Sequence, residues 1–504
     1  MESLALVELL FHPICSTAFI LFLVFLLQKW LKSSISDQSS PPSPPKIPIF
    51  GHLLNLGSLP HITLQAYARR HGPLFLLHIG SKPTIVASSA EMAREIMKTH
   101  DLIFADRPKS SISDKLLYDS RDIAASPCGE YWRQMKSIAV LHLLSNKRVH
   151  SFRSVREEEV KLMIQNIRQN PASVNLSHEF SRLTNDVICR VALGRKYGAV
   201  AGEDKFRDIL PQFVKLLGSF SVRDFVPWLG WIDGISGMDA KAKKVAKELD
   251  DFVDRVIQDH VHADYNPEEQ SQDLVDVLLS IQRQDSIGFP PLEMKSIKAL
   301  ILDMFAGGTD TIYTVLEWTM SELLRHPEAM KKLQSEVKEV AGEKEYVSED
   351  DLEKMHYLKA VIKETLRLHP PIPLLVPREC IQDVKLKGYH IKRGTLVMIN
   401  AWAIGRDPQV WGSDAEEFQP NRFINSGIDF KGHDFELIPF GAGRRGCPGV
   451  LFATIIGEIA LANAVCKFEW TLPGGTDAKS LDMTMASGLT IHRRFPLVAV
   501  ATPC

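Results

Sequence analysis

The 504-residue chain carries no paired-cysteine signature. Its seven cysteines, at positions 15, 128, 189, 380, 447, 466 and 504, are odd in number and scattered, with neither CxxC spacing nor a Cys/His cluster. That distribution excludes a disulfide framework and a zinc site, and it predicts that the body of the protein faces a reducing compartment. A surplus of one charge is missing too. With 59 Lys+Arg against 61 Asp+Glu the formal charge is -2, which argues against nucleic acid as the main partner. No long linker interrupts the middle of the chain, so one large catalytic unit over residues 51–504 is expected in spite of the length.

The nearly unbroken apolar run Phe11 to Leu27 lacks basic residues ahead of it, where Glu2 and Glu8 stand instead, and no small-residue cleavage site follows. These absences disfavour a cleaved signal peptide and leave a membrane span. Lys29, Trp30 and Lys32 come directly after the run, which by the positive-inside rule puts the rest of the chain in the cytoplasm. Residues 1–32 therefore read as a single-pass anchor in membrane lipid, and residues 33–50, with Pro41-Pro42-Ser43-Pro44-Pro45-Lys46-Ile47-Pro48, as a stiff hinge between anchor and globule.

Beyond the hinge the pattern predicts a mainly α protein with small β-sheets. Leu74 to Val86, with Gly80 and Pro83 inside it, reads as a hairpin; Glu91 to His100 reads as a short helix; Tyr131 opens another, with Trp132 and Lys136 one turn apart on a common face. Between them Asp106 to Ala125 is polar, irregular and too long for an ordinary connection, which marks it as a functional loop over the substrate. Met294 to Arg325 is the strongest helical pattern, with Ile297, Leu300, Ile301, Met304, Phe305, Ile312, Val315, Leu316, Thr319 and Leu323 at i, i+3, i+4 spacing. Its middle holds Ala306-Gly307-Gly308-Thr309-Asp310-Thr311. Two adjacent glycines each cost a helix about 1 kcal/mol relative to alanine, so they call for a reason such as a bulge or a ligand pressed against the backbone. An acid beside an alcohol supplies one: Asp310 and Thr311 form a potential proton relay.

The stretch Pro439-Phe440-Gly441-Ala442-Gly443-Arg444-Arg445-Gly446-Cys447-Pro448-Gly449 places one cysteine in a glycine-rich loop just ahead of a predicted helix, Val450 to Val465. A helix amino terminus and two nearby arginines both lower a thiol pKa, so a thiolate is expected at Cys447. Two rival readings exist. Gly441, Gly443 and Gly446 satisfy the dinucleotide fingerprint, but Pro439 interrupts the strand it needs and Cys447-Pro448-Gly449 separates it from the helix. The other is a plain loop with a buried free cysteine.

The pattern Phe440-x-x-Gly443-x-Arg445-x-Cys447-x-Gly449 resembles, at every fixed position, the haem-binding signature of cytochromes P450. The resemblance implies the P450 fold with an N-terminal transmembrane anchor, haem b as cofactor, and Cys447 as the axial ligand of its iron. Phe440, Gly443, Arg445 and Gly449 are then cofactor-binding residues. Trp132 and Lys136 resemble the family's Trp-x-x-x-Arg, with lysine in place of the propionate-binding arginine; the alternative for Lys136 is a surface lysine on an amphipathic helix. Glu364 and Arg367 resemble its Glu-x-x-Arg and, with Arg422, imply a structural triad, although Asn421 stands where an acid is usual. Asp310 and Thr311 match its catalytic acid-alcohol pair, with Ile312 in place of a second hydroxyl. The segments Phe213 to Phe225, Pro371 to Arg378 and Ser487 to Thr490 are implied to border the substrate, with Arg378 reaching a propionate.

Within the family, Phe104-Ala105-Asp106-Arg107-Pro108, the run Leu316 to Leu323 and Arg445-Gly446-Cys447-Pro448-Gly449 look like plant microsomal enzymes of specialised metabolism. That likeness implies an endoplasmic reticulum enzyme that takes electrons from NADPH-cytochrome P450 reductase. It would insert one oxygen atom from dioxygen into an apolar terpenoid, phenylpropanoid, coumarin or indolic substrate. Two alternatives remain: a P450 that rearranges or dehydrates its substrate without dioxygen, and a haem-binding sensor or carrier with no turnover.

Overall fold

The computed structural model describes residue 17 and residues 39–197, 205–262, 272–283 and 292–504. The expected membrane run, Phe11 to Leu27, lies outside the described residues apart from Thr17.

The apolar stretches Leu74–Ile79 and Lys82–Ala87, the second buried continuously from Thr84 to Ala87, pair as an antiparallel hairpin whose turn needs Gly80 at φ +57°. The second strand pairs in parallel with Leu396–Ile399, which pairs in turn with the short strand Arg378–Glu379. This four-stranded sheet forms one side of the molecule, and its last strand starts at Arg378. The end of the proline-rich stretch is laid on it and does not stand off as a free spacer. Pro42 O accepts the Leu76 amide at 2.8 Å, Pro44 O contacts His52 Nε2 at 3.0 Å, and Pro41 and Pro44 are buried.

The helical side is built around α1 (Leu176–Leu193), α2 (Met294–Gly308), α3 (Asp310–Arg325), α4 (His356–Leu368) and α5 (Val450–Lys467). Helix α5 is apolar all round and buried along most of its length, as the central helix of a large core is. It packs against α3 and α4, while α1 crosses α2 and α3.

The single helix expected over Met294 to Arg325 is divided at Thr309, where φ is -99° and ψ is -65°. The cause is local. The hydroxyls of Thr309, Thr311 and Thr314 each donate back to the carbonyl four residues earlier, at 2.6 Å, in a stretch that glycine has already weakened. The loop Asp106 to Ala125 is also more ordered than its polarity suggests: it contains a helical turn, Ser111–Leu116, and then Tyr118, Asp119 and Ser120 in succession at positive φ.

Candidate active site

Between the sheet and the helical side lies a cavity of about 570 Å³. The loop before α5 forms one wall of it. Gly443, at φ +68°, lets the loop press on the preceding chain: a Cβ there would meet Met97 O at 2.2 Å. The turn is closed by Gly446 N donating to Gly443 O at 3.0 Å and Cys447 N donating to Phe440 O at 2.9 Å. Phe440 is braced by Phe430, with ring centroids 5.4 Å apart. Cys447 is the cysteine, among the described residues, whose sulfur opens on this cavity.

The thiolate expected at Cys447 is not favoured by the protein alone. One amide, that of Gly449 at 3.4 Å, reaches the sulfur. Burial raises the thiol pKa, against the smaller opposing effects of that amide and of Lys136. Cys447 has accessible surface because it faces the cavity, while its wider surroundings are dense protein. The arginines give less help than their sequence position suggests. Arg445 turns away, its Nε donating to Ala105 O at 2.7 Å, Nη1 to Ile123 O at 3.2 Å and Nη2 to Ser126 O at 2.6 Å, with its guanidinium 4.1 Å from the centre of the Trp132 ring. A metal cation at the sulfur supplies the missing charge and deprotonates a coordinating thiol.

The cations lining the cavity suit the two carboxylates of a haem. Arg107, Lys136, Arg378 and Arg445 all line the cavity and crowd one another. Burial, then Arg445 and Arg378, lower the pKa of both Arg107 and Lys136. Burial also pushes Arg445 down to about 10. Such a cluster is stabilised by carboxylates brought in by a ligand. Lys136, placed on the helix Glu130–Ile138, donates to Arg444 O and keeps two N–H groups for other partners. Arg378 spans Asp101 Oδ1 at 3.3 Å and Ala442 O at 2.9 Å. Trp132 spends its N–H on Ile123 O at 3.2 Å.

Across the cavity from Cys447 run α2 and the start of α3. The paired glycines have separate reasons. Gly307 faces open space, with nothing within 4 Å of a built Cβ, whereas a Cβ on Gly308 would lie 2.4 Å from Ile188 Cδ1 on α1. Thr311 lines the cavity; Asp310 does not. The Asp310 carboxylate instead takes the Thr490 hydroxyl and His492 Nε2, the latter at 3.1 Å.

Glu364, Arg367 and Arg422 meet behind the site. Glu364 and Arg367 are fully buried and joined by two bonds of 2.7 Å, and Arg422 Nε reaches Glu364 Oε1 at 3.3 Å. Arg367 also donates to Gly405 O, Ala415 O and Glu417 O, so it ties α4 to the segment that leads to the cysteine loop. Asn421, where an acid was usual, accepts from Lys332 at 2.6 Å.

Of the segments expected to border the substrate, Val214, Leu217, Phe225, Pro371, Val376, Leu489 and Thr490 line the cavity, while Phe213 is core. The sequence reading missed Asp122 and Asp303, which meet in the cavity roof. Asp303 Oδ2 accepts Ile123 N at 2.6 Å, Asp122 Oδ2 accepts Ala125 N at 2.7 Å, and Asp122 Oδ1 has no partner. Burial and the neighbouring Asp122 hold the Asp303 pKa well above the usual carboxylate range. The available signal was an acid inside the apolar run Ala299-Leu300-Ile301-Leu302-Asp303-Met304-Phe305.

A sequence profile described as Cytochrome P450 matches residues 41–497. Among curated relatives, Cytochrome P450 736A117 of Prunus mume is 56% identical over 501 residues, covering 98% of this chain and 96% of its own. Cytochrome P450 71A25 of Arabidopsis thaliana is 52% identical, covering 95% and 97%. Norfluorocurarine oxidase of Strychnos sp is 50% identical, covering 97% and 98%. A solved structure of zebra fish cytochrome P450 with abiraterone superposes with a TM-score of 0.75 at 25% identity, covering 88% of this chain and 99% of the other. With the cysteine loop, its cation cluster and the broken helix opposite, these likenesses show that the chain belongs to the cytochrome P450 family of haem monooxygenases.

Proposed function

We propose that this protein inserts one oxygen atom from dioxygen into an apolar small plant metabolite of the terpenoid, phenylpropanoid, coumarin or indolic kind. Its prosthetic group in this reading is haem b, its electron donor NADPH-cytochrome P450 reductase, and its location the endoplasmic reticulum membrane. A single span within residues 1–32 anchors it there with the catalytic body in the cytoplasm. The observation that carries the reading is that the Cys447 sulfur and the Thr311 hydroxyl open on one cavity whose remaining walls include Ala306, Ile312, Val315, Ile372, Val376 and Leu489. Relatives from Prunus, Arabidopsis and Strychnos at 50% identity or more support the plant assignment.

When bound, the haem activates dioxygen, which the protein's own side chains cannot do. Cys447 supplies the sulfur ligand, and Phe440, Gly443 and Gly449 shape the loop that presents it. Lys136 and Arg378 would hold the porphyrin carboxylates; Arg445 would support them through its charge, and Arg445 and Trp132 through the backbone carbonyls they bind. The apolar walls orient the substrate by burial and exclude water from it. Thr311 holds a proton at Oγ1 on the cavity side, 2.6 Å from Gly307 O, and Asp310 is the acid next to it. With haem bound, the pair would hold protons beside the cavity and pass them into it from Thr311 Oγ1.

The test is NADPH-dependent oxygen uptake by the haem-loaded enzyme in vesicles with a plant reductase, over a library of metabolites first selected by their shift of the Soret band. Uptake with stoichiometric oxygenated product is expected. Product formed without oxygen uptake would move the reading to a rearranging or dehydrating P450, and binding without turnover to a haem-binding sensor or carrier.

A further inference from the structure

The break at Thr309 places Asp310 and Thr311 on different spaces. Thr311 opens on the cavity of Cys447, whereas Thr309, Asp310 and Tyr313 line a second cavity of about 240 Å³ on the other side of the helix, closed by Ser181, Arg182 and Asn185 of α1. Val214 borders both cavities and so lies between them. His178, with a side chain 65% exposed, stands at the outer lip of the second.

Asn185 is the unexplained residue there. It is only 7% exposed, yet neither its side-chain oxygen nor its nitrogen has a hydrogen-bond partner in the protein. A primary amide offers two donors and two acceptor sites, and leaving all of them unmade in a buried position is costly. Leu210, Pro211 and Val214 make part of the wall apolar, but Asn185, Ser181 and Asp310 offer polar groups on it, and the space has room for several waters, the usual partners of such a group. The Asp310 carboxylate is arranged to meet them. The bonds from Thr490 and His492 both fall on Oδ2, so Oδ1 is left for the cavity.

We infer that the second cavity is a water-filled proton inlet for Asp310 and that Asn185 anchors its water. The inference rests on the monooxygenase reading above and adds the side from which its protons come. Asp310 takes a proton from cavity water and releases it toward Thr311, ending each transfer as the carboxylate it began as, while bulk buffer replaces the proton the water lost. Asn185 touches neither substrate nor cofactor; it is a positioning residue.

The experiment has two parts, both on the haem-loaded full-length protein. A crystal structure that resolves water is expected to show water bonded to the Asn185 amide and to Asp310 Oδ1; a dry second cavity would overturn the inference. Asn185→Leu, which fills the site with an apolar group of similar size, is expected to slow product formation about tenfold with an enlarged solvent isotope effect. Haem content and the substrate-induced Soret shift should stay unchanged, and Asn185→Ser should restore most of the rate. Wild-type turnover and isotope effect in Asn185→Leu would also overturn it. Should the leucine variant lose its haem, the water structure of the wild type decides alone. Ordered water at Asn185 in an enzyme without NADPH-dependent oxygen uptake would refute the monooxygenase reading and with it the inlet's role, whereas a dry cavity in an active enzyme would refute the inlet only.

Discussion

Single side chains at the site are held by different forces, and each predicts a different response. Thr311 loses only its hydroxyl on replacement by valine, because its shape is kept and its one recorded bond is to the Gly307 carbonyl. A positioned relay contributes about 10²- to 10⁴-fold to a proton-transfer step. Thr311→Val should therefore retain haem and substrate binding and keep oxidising NADPH, with product per NADPH at least about tenfold lower and hydrogen peroxide in its place; wild-type coupling would remove Thr311 from the relay. Asp303 responds to pH. Burial first, and then Asp122, raise its carboxyl pKa in the folded protein well above that of the unfolded chain, where it ionises near the ordinary value of about 4. Above that value the unfolded state binds fewer protons, so folding stability falls as pH rises, by up to about 1.4 kcal/mol per unit, until the raised folded pKa is passed. Asp303→Asn mimics the protonated form and should flatten this decline, which urea unfolding across pH 6 to 9 would measure; an unchanged slope would mean that Asp303 is ionised in the fold.

At the scale of elements, the two glycines that end α2 separate packing from propensity. Alanine at 307 meets nothing within 4 Å and removes the conformational cost of glycine, a gain of about 1 kcal/mol, while its methyl narrows the cavity. Alanine at 308 brings a Cβ to 2.4 Å from Ile188 Cδ1 and overpacks the contact between α1 and α2, a loss of about 1 to 3 kcal/mol partly offset by the same propensity gain. Thermal unfolding should rank Gly307→Ala above wild type and Gly308→Ala below it. The reverse order would mean that the helix break, and not contact with α1, decides both positions. The pair Gly307-Gly308 was visible in the sequence as a local disturbance; the division of labour between its members depends on what α1 brings alongside, which no spacing within α2 reveals.

For the molecule as a whole, the proposed anchor and the folded body meet within the first fifty residues. Residues 39–50 are bonded to the body through Ser39 O, Pro42 O and Pro44 O, which accept from His390, Leu76 and His52. Deletion of residues 1–32 should release the protein from membranes with its haem content intact. Deletion of residues 1–50 would strip the cover from the edge of the first strand and should lower thermal stability or haem retention as well. Fractionation and absorbance of both truncated forms check this; equal stability of the two would show that the docked prolines contribute nothing to the body.

Several determinants were readable in the sequence because they are local. A cysteine among glycines ahead of a long apolar run and a hairpin with its turn glycine are set by backbone sterics and periodicity over a few residues and appear in the fold where the pattern put them; the helix over Met294 to Arg325 appears too, but divided at Thr309. Tertiary structure decided how those pieces face one another. It turned Arg445 onto roof carbonyls and left burial to dominate the Cys447 thiol. It paired Asp310 with Thr490 and His492, some 180 residues away in sequence, and gave it a cavity of its own. It also set Asp122 against Asp303. Charge and desolvation act through space, so the ionisation of a group follows from which distant segments fold against it, and that is information carried by the packed molecule and not by any one stretch of the chain.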